Sequence, residues 1–432
     1  MNAREAAYKS LLRIDNESRY SALELDSVMN SDKLDDKDKA LYTSLLYGVT
    51  ERAITLDYII SLYSSKPLSR LDKSTLILLR TGVYQIYMLD KVPDSAAVNE
   101  TVKLAARYSA RSKGYINAVL RAVSCDKDGI HFPDPDSDRI KYLSVKYSLP
   151  EWICRSFIDD YPDEGERIFD FVNSNPCITL RTNELKISTE ELLSRLDTDT
   201  EKCRYSRFGI RLKEHVPVGT LELDNGLFFI QDEASQIECI ALGAEEGDTV
   251  VDVCACPGGK SFSAAVSMKN KGKIFAFDIH GSKLPLIDKE AAVLGIDIIE
   301  TAEHDSTVAL PSLIGAADKV ICDVPCSGLG VLHKKSDLRY KPEESVYDLP
   351  ELQYKILVAS SRYLKPGGIL VYSTCTLRKA ENEQVVERFL SCHPEFHTVP
   401  FDIKDIHSDG MLTLMPHIHG TDGFFIAKIR KK

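Results

Sequence analysis

The chain predicts an α/β protein in three parts: an all-helical N-terminal region, a small α+β module, and a C-terminal domain with a parallel, doubly wound sheet. Three observations carry that expectation. Apolar residues recur at helical spacing from residue 3 to about 124. A Pro- and Asp-rich stretch, His131-Phe-Pro-Asp-Pro-Asp-Ser-Asp138, interrupts the pattern and marks a domain boundary. From Thr249 onward, short apolar runs at 249–254, 273–278, 297–301, 319–323 and 368–373 alternate with helical stretches, which is the spacing of βαβ units.

In the first region (residues 1–128), Leu11, Leu12 and Ile14, then Leu41, Leu45 and Leu46, then Leu76, Leu78, Leu79, Val83 and Ile86 mark successive apolar helix faces. Pro93 opens a further helix, and Asn117-Ala-Val-Leu-Arg-Ala-Val123 ends the bundle. The second part (139–230) mixes helices around Trp152 and Ile168 with strands at 177–181 and 207–212. The third (231–432) holds the alternating strands and closes on a strand over 423–429.

Composition narrows the class. A chain of 432 residues is too long for one ordinary domain, and 44% hydrophobic residues suffice for packed cores. No apolar run approaches 18 residues, so no membrane helix is expected. The N-terminus reads as an amphipathic helix rather than a signal peptide, and eleven cysteines suit a reducing, cytoplasmic setting. The net charge of −11 hides an asymmetry: residues 1–125 carry 18 Lys+Arg against 15 Asp+Glu, leaving −14 for the remainder. Lys103, Arg107, Arg111, Lys113 and Arg121 form a basic run with no acid between 101 and 125. Affinity for phosphates depends on such local patches rather than on the total.

The run Thr249-Val-Val-Asp-Val-Cys-Ala-Cys-Pro-Gly-Gly-Lys-Ser261 is an apolar strand, a glycine turn and a helix start. It is not a phosphate loop, because Cys254 stands where that loop needs its first glycine. Gly258 and Gly259 allow close backbone approach, and the helix start at Lys260 offers free amides to a carboxylate. The next strand ends in Asp278, where a ribose diol is commonly held, the third near Asp305, and the fourth in Asp323. One acid at a strand end is more often a turn or cap. Four adjacent strands, each delivering a loop or an acid to one sheet edge, point to S-adenosylmethionine.

Two cysteines follow buried strands: Cys326 after Val320-Ile-Cys-Asp-Val-Pro, and Cys375 after Gly368-Ile-Leu-Val-Tyr-Ser-Thr. Carbon 5 of a pyrimidine is a poor nucleophile until a thiolate adds to carbon 6 and creates an enamine. A second acid/base group then helps the carbon-5 proton and the thiolate leave. The residues themselves do not rank the two thiols. Cys322, inside a strand, reads as a small buried apolar residue. A zinc site from Cys254, Cys256, Cys322 and Cys326 has the wrong spacing, so no metal is expected.

These residues carry a family resemblance. Arg4-Glu-Ala-Ala-Tyr8, Leu79-Arg-Thr-Gly-Val-Tyr-Gln85, Ala96-Ala-Val-Asn-Glu-Thr-Val-Lys-Leu-Ala105 and Tyr115-Ile-Asn-Ala-Val-Leu-Arg121 resemble the NusB fold, whose members bind RNA and protein. The resemblance favours the basic run as a contact surface; the other reading is that much of these stretches is core, with Asn99 and Asn117 as buried caps. Asp252-Val-Cys-Ala-Cys-Pro-Gly-Gly-Lys-Ser261, Asp323-Val-Pro-Cys-Ser-Gly-Leu-Gly330 and Tyr372-Ser-Thr-Cys-Thr376 look like motifs of the RNA cytosine-C5 methyltransferases. Gln231-Asp-Glu-Ala-Ser235, Glu381-Asn-Glu383 and His419-Gly-Thr-Asp-Gly-Phe-Phe425 match further family stretches.

The resemblance implies a Rossmann-like, class I methyltransferase domain that methylates 16S ribosomal RNA, with cytosine 967 as the family precedent. It implies Cys375 as nucleophile and Cys326 in proton removal or product release. It implies that Cys254, Ala255, Cys256, Pro257, Gly258, Gly259, Lys260, Asp278, Asp305 and Asp323 hold S-adenosylmethionine, with Lys260 and Asp323 also reaching the reacting centre. A monomer is expected. Cys256 departs from the alanine common in the family, and Ser336 from the proline usual before Asp337-Leu-Arg339.

Overall fold

The computed structural model describes residues 2–17, 21–29, 34–174, 176–213 and 226–432. The chain forms two compact units. One comprises Met1–Asn173 and Lys334–Lys341; the other comprises Ser174–His333 and Pro342–Lys432.

The first unit is helical. Among its helices are Ala3–Glu17, Asp36–Glu51, Ala53–Tyr63, Lys73–Met88, Asp94–Tyr108 and Lys113–Cys125, followed by Arg139–Tyr147, Glu151–Asp160 and Gly165–Val172. Capping sets the boundaries: Asp72 accepts from the Thr75 amide at 2.9 Å, and Pro93 stands at the N-cap of Asp94–Tyr108. The predicted apolar faces meet in one core, where Leu45, Leu46, Leu78, Leu79, Val83, Ile86 and Leu120 are fully buried. The five cations of the basic run are exposed. Lys103 pairs with Glu100, and Arg107 with Glu5. Neither asparagine caps a helix from a buried position: Asn99 is exposed, and the half-buried Asn117 accepts from Arg121 Nε.

Lys334–Lys341 belongs to this unit although it follows Cys326 in sequence. Arg339 is 1% exposed and donates from Nη1 to Asn173 Oδ1 at 2.9 Å and from Nη2 to the Val172 carbonyl at 2.8 Å. The Tyr340 hydroxyl donates to the Thr50 carbonyl at 2.6 Å.

The second unit holds two larger sheets. Four antiparallel strands, β1 (Thr179–Thr182), β2 (Thr200–Lys202), β3 (Gly209–Leu212) and β4 (Phe228–Ile230), run in the order β2-β3-β1-β4. The eight-stranded sheet contains β5 (Thr249–Asp252), β6 (Lys273–Asp278), β7 (Ile299–Glu303), β8 (Ala317–Asp323) and β9 (Leu364–Thr374) in parallel, ordered β9-β8-β5-β6-β7. The short strands β10 (Phe396–Thr398), β11 (Phe401–Ile403), β12 (Ile406–Ser408) and β13 (Met411–Leu414) precede β14 (Phe424–Lys431). β14 runs antiparallel to β9, with β10 and β13 beside it, while β11 and β12 pair with each other.

Side chains alternate between the two faces of this sheet. Val250 and Ile321 join one core; Val251, Val320 and Cys322 join the other. Cys322 is thus the buried apolar residue expected. β7 lies two residues later than the predicted 297–301, because Gly295, at φ 77°, closes the preceding helix and 296–298 form the connection. Chain order reverses between β5 and β8. At such a switch point the loops leaving the strands' carboxyl ends splay apart and open a crevice.

Candidate active site

The β8–β9 register aligns Cys322 with Tyr372 and Asp323 with Ser373. Cys326 lies three residues past the end of β8 and Cys375 directly follows β9, which brings them side by side, Sγ to Sγ 3.1 Å. Neither is in a disulfide, and both are half-buried. Two sulfurs so close hold their second proton tightly: the Cys375 sulfur first, and burial next, push the Cys326 thiol well above the ordinary range.

A third residue group pins both loops. Glu381 is fully buried; its Oε2 accepts from the Ser327 amide at 2.8 Å and from Gln353 Nε2 at 2.9 Å. Its Oε1 accepts from Arg378 at 3.0 Å. Gln353 also donates to the Pro325 carbonyl at 2.9 Å, one residue before Cys326. Asn382 accepts from Thr374 at 2.6 Å and donates to the Thr376 carbonyl at 3.0 Å, so it grips both sides of Cys375. Behind Cys375, its carbonyl accepts from the Gly330 amide at 3.0 Å, and the Gly330 carbonyl accepts from the Gly423 amide at 2.9 Å. A Cβ on Gly330 would lie 1.9 Å from the Gly423 oxygen, so only glycine permits this approach.

The loop after β5 turns sharply. Gly258 sits at φ 112°, and a Cβ there would meet the Phe262 ring at 2.4 Å. The Ala255 amide donates to the Phe277 carbonyl at 2.7 Å, and the Cys256–Pro257 bond is cis. Gln231 buttresses the turn by donating to the Gly259 carbonyl at 3.1 Å and accepting from Ser263 at 2.8 Å. Burial raises the Cys254 thiol well above the usual range and, aided by Asp278, Cys256 to about 12. Both therefore stay protonated and unreactive at neutral pH. Asp278 accepts from the Cys256 amide at 3.3 Å and from the His280 amide at 2.9 Å, so it faces the loop.

Asp305 differs. It is exposed and occupied in its own turn, accepting from the Thr307 amide at 3.0 Å and the Thr307 hydroxyl at 2.7 Å, which hold its carboxyl below the usual range. Its loop is nevertheless tied to the first: Ser306 donates to the Val253 carbonyl, and the His304 amide to the Asp278 carbonyl at 3.0 Å.

Lys260 Nζ lies 2.5 Å from Asp323 Oδ2 and 3.3 Å from Glu238 Oε2. Burial works against its charge, but Asp323 and Glu238 hold the ammonium well above the ordinary lysine range. Among the described residues, no group of three or more His, Cys, Asp or Glu could hold a metal ion, and no helix is long and apolar enough to cross a membrane.

Comparison with known proteins identifies this arrangement. Residues 239–430 match the family model for 16S rRNA methyltransferase RsmB/F, residues 1–124 the NusB family, and residues 149–219 the ferredoxin-like domain of RsmF/B-like methyltransferases. A probable ribosomal RNA small subunit methyltransferase B from Bacillus subtilis (strain 168) is 35% identical, over 100% of this chain and 99% of the relative. The protein of the same description from Synechocystis sp. is 34% identical, over 100% of this chain and 100% of the relative. The chain belongs to the RsmB/F family of 16S rRNA methyltransferases.

The crystal structure of PH0851 superposes with a TM-score of 0.82 at 28% identity, covering 100% of this chain and 99% of that one. A methyltransferase homologue from Pyrococcus horikoshii covers 68% of this chain at a TM-score of 0.59 and 28% identity. As an RsmB/F methyltransferase, the enzyme takes its methyl group from S-adenosylmethionine and places it on ribosomal RNA. The tight turn at Gly258 and the facing Asp278 suit a nucleoside bearing a carboxylate tail. Two residues of the site, Gln353 and Glu238, escape a reading by motif, while Gln231 and Ser373 lie in motif stretches that gave them no role of their own. Glu238 alone carries a local signal, an acid within the apolar run Ile237-Glu-Cys-Ile-Ala-Leu242.

Proposed function

We propose that this enzyme methylates carbon 5 of a cytosine in 16S rRNA through a covalent thiol adduct. The observation that carries the reading is the pair of thiols 3.1 Å apart at the sheet mouth, on loops that Glu381 and Asn382 clamp. A base methylated on an oxygen or exocyclic nitrogen would call for neither sulfur. Cys375 adds as thiolate to carbon 6; the carbon–sulfur bond forms and the former double-bond pair makes carbon 5 nucleophilic. Held by the loop Cys254–Lys260 and Asp278, S-adenosylmethionine would supply carbon 5 with an electrophilic methyl group, its sulfonium sulfur being the leaving thioether. The carbon-5 proton then leaves to a base, its electron pair restores the ring double bond, and Cys375 departs as thiolate. Cys326, beside the departing sulfur, serves this second half.

The loop Cys254–Lys260, with Asp278, Asp305 and Asp323, is the proposed cofactor cradle. Ile279 and Val308, 59% and 62% exposed directly after β6 and near Asp305, are apolar surfaces suited to an adenine ring. Lys260 and Asp323 are assigned to the reacting centre, where the target cytosine must be extruded from any stack. The helical region 1–128, with its exposed basic run, and the module 139–230 are assigned to RNA contact around the catalytic domain 231–432, in an enzyme acting as a monomer; cytosine 967 is the expected target.

Transfer of labelled methyl groups to 16S rRNA from a strain lacking the gene, followed by mapping of 5-methylcytosine, tests the reading. A label mapped to one cytosine carbon 5 supports it; a label on any other atom, or none, overturns it.

A further inference from the structure

Glu238 sits on the helix Glu233–Leu242 and is 1% exposed. A carboxylate so placed costs several kcal/mol unless charges and hydrogen bonds compensate it, so its partners are informative. Oε1 lies 2.8 Å from Ser373 Oγ. Oε2 has the Lys260 ammonium at 3.3 Å and makes no well-aligned hydrogen bond among the described residues. The same Ser373 Oγ lies 3.2 Å from Asp323 Oδ1.

Counting hydrogens decides the protonation. Ser373 has one hydroxyl hydrogen and two carboxyl oxygens in reach. With both carboxylates ionised, one of those contacts holds no hydrogen and two lone pairs face each other. One added proton completes the chain: Glu238 O–H donates to Ser373 Oγ, whose own hydrogen goes to Asp323. That proton belongs on Glu238, whose side chain is 2% exposed against 28% for Asp323. Asp323 is then left to pair one-to-one with Lys260. The titratable groups around Glu238 are Lys260 from the helix Gly259–Ser267, Asp323 and Cys322 from β8, Asp252 from β5 and Cys239 on its own helix. Burial, then the Asp323 charge against the pull of Lys260, likewise raise the Glu238 carboxyl.

We propose that Glu238 is a buried proton store for the reacting centre, passing its proton through Ser373 to Asp323. The proposal rests on the reading of Asp323 as a residue at the target cytosine. When Cys375 adds to carbon 6, negative charge spreads to ring nitrogen 3 and oxygen 2. The Glu238 proton moves to Ser373 Oγ as the serine hydrogen moves to Asp323, which delivers a proton to the ring. When the thiolate is expelled, the proton returns by the same path, so the relay consumes no proton or electron. Glu238 acts through Asp323 and is a positioning residue rather than a catalytic one.

The test is Glu238→Gln, which keeps size and can still donate to Ser373 but has no proton to release. In labelled methyl transfer to an rRNA fragment, kcat is expected to fall at least about tenfold, short of the ~10²–10⁴ typical of a group at the reacting atoms. Cofactor affinity and the KM for RNA are expected to stay within about twofold, as for an interaction made only beyond the ground state. The alkaline fall in kcat that reports Glu238 ionisation should vanish in the variant. Ser373→Ala should give the same loss, and the double variant no more. Wild-type kcat and pH profile in both single variants, or additive losses, would overturn the relay. If Glu238→Gln fails to fold by circular dichroism, Ser373→Ala with Glu238 intact decides. A wild-type enzyme that leaves cytosine carbon 5 unmethylated would instead defeat the reading beneath the proposal.

Discussion

Replacing Glu381 by alanine should loosen both thiol loops at once. The side chain is fully buried and accepts from Ser327, Gln353 and Arg378 at 2.8, 2.9 and 3.0 Å. Each buried donor left unpaired costs about 1–3 kcal/mol. These losses do not simply add, because Arg378, 16% exposed, can turn toward water. A total of about 3–5 kcal/mol results, the range for breaking one buried ion pair. At about 2–4 °C per kcal/mol for a domain of this size, the melting temperature should fall by roughly 10 °C. Displacement of Cys326 and Cys375 by even ~1 Å should lower methyl transfer by about 100-fold. Calorimetry and labelled transfer on the same preparation provide the assay. A melting shift under about 2 °C, or unchanged transfer, would refute the view that Glu381 holds the thiol pair.

Two further outcomes are expected. Gly258→Ala places a Cβ 2.4 Å from the Phe262 ring at φ 112° and should weaken S-adenosylmethionine binding at least about tenfold by titration calorimetry, with a stability loss of about 1–3 kcal/mol. Burial raises Asp252 to about 7 in the folded protein from 3.8 when free, so the native state binds the extra proton between those values and stability falls as pH rises through that window. Asp252→Asn should therefore flatten the melting temperature between pH 4 and 7.

Much of the fold is legible because parallel strands buried on both faces read as unbroken apolar runs, as at β5 and β8. The motif loops are legible because Gly258 and the strand-end cysteines follow such runs. What pairs them is not. The 3.1 Å thiol contact depends on the β8–β9 register, which local pattern does not encode. Arg339 follows the Cys326 loop in sequence yet packs among N-terminal helices, a long-range outcome with no local sign. Asp305 shows another limit: an acid after a strand reads as a turn residue or a ligand alike, and here Thr307 engages only its Oδ1. Glu238 stands out locally as an acid in an apolar run, but its contacts with Ser373 and Lys260 are long-range and no local run of residues encodes them.

Cys375 is proposed to form the covalent adduct and Cys326 to release it. Incubating Cys326→Ala and Cys375→Ala separately with S-adenosylmethionine and substrate RNA, then resolving the products on a denaturing gel, tests it most directly. Cys326→Ala should accumulate an RNA-linked enzyme band, and Cys375→Ala should show neither the band nor turnover. A band from Cys375→Ala, or from neither variant, would contradict it.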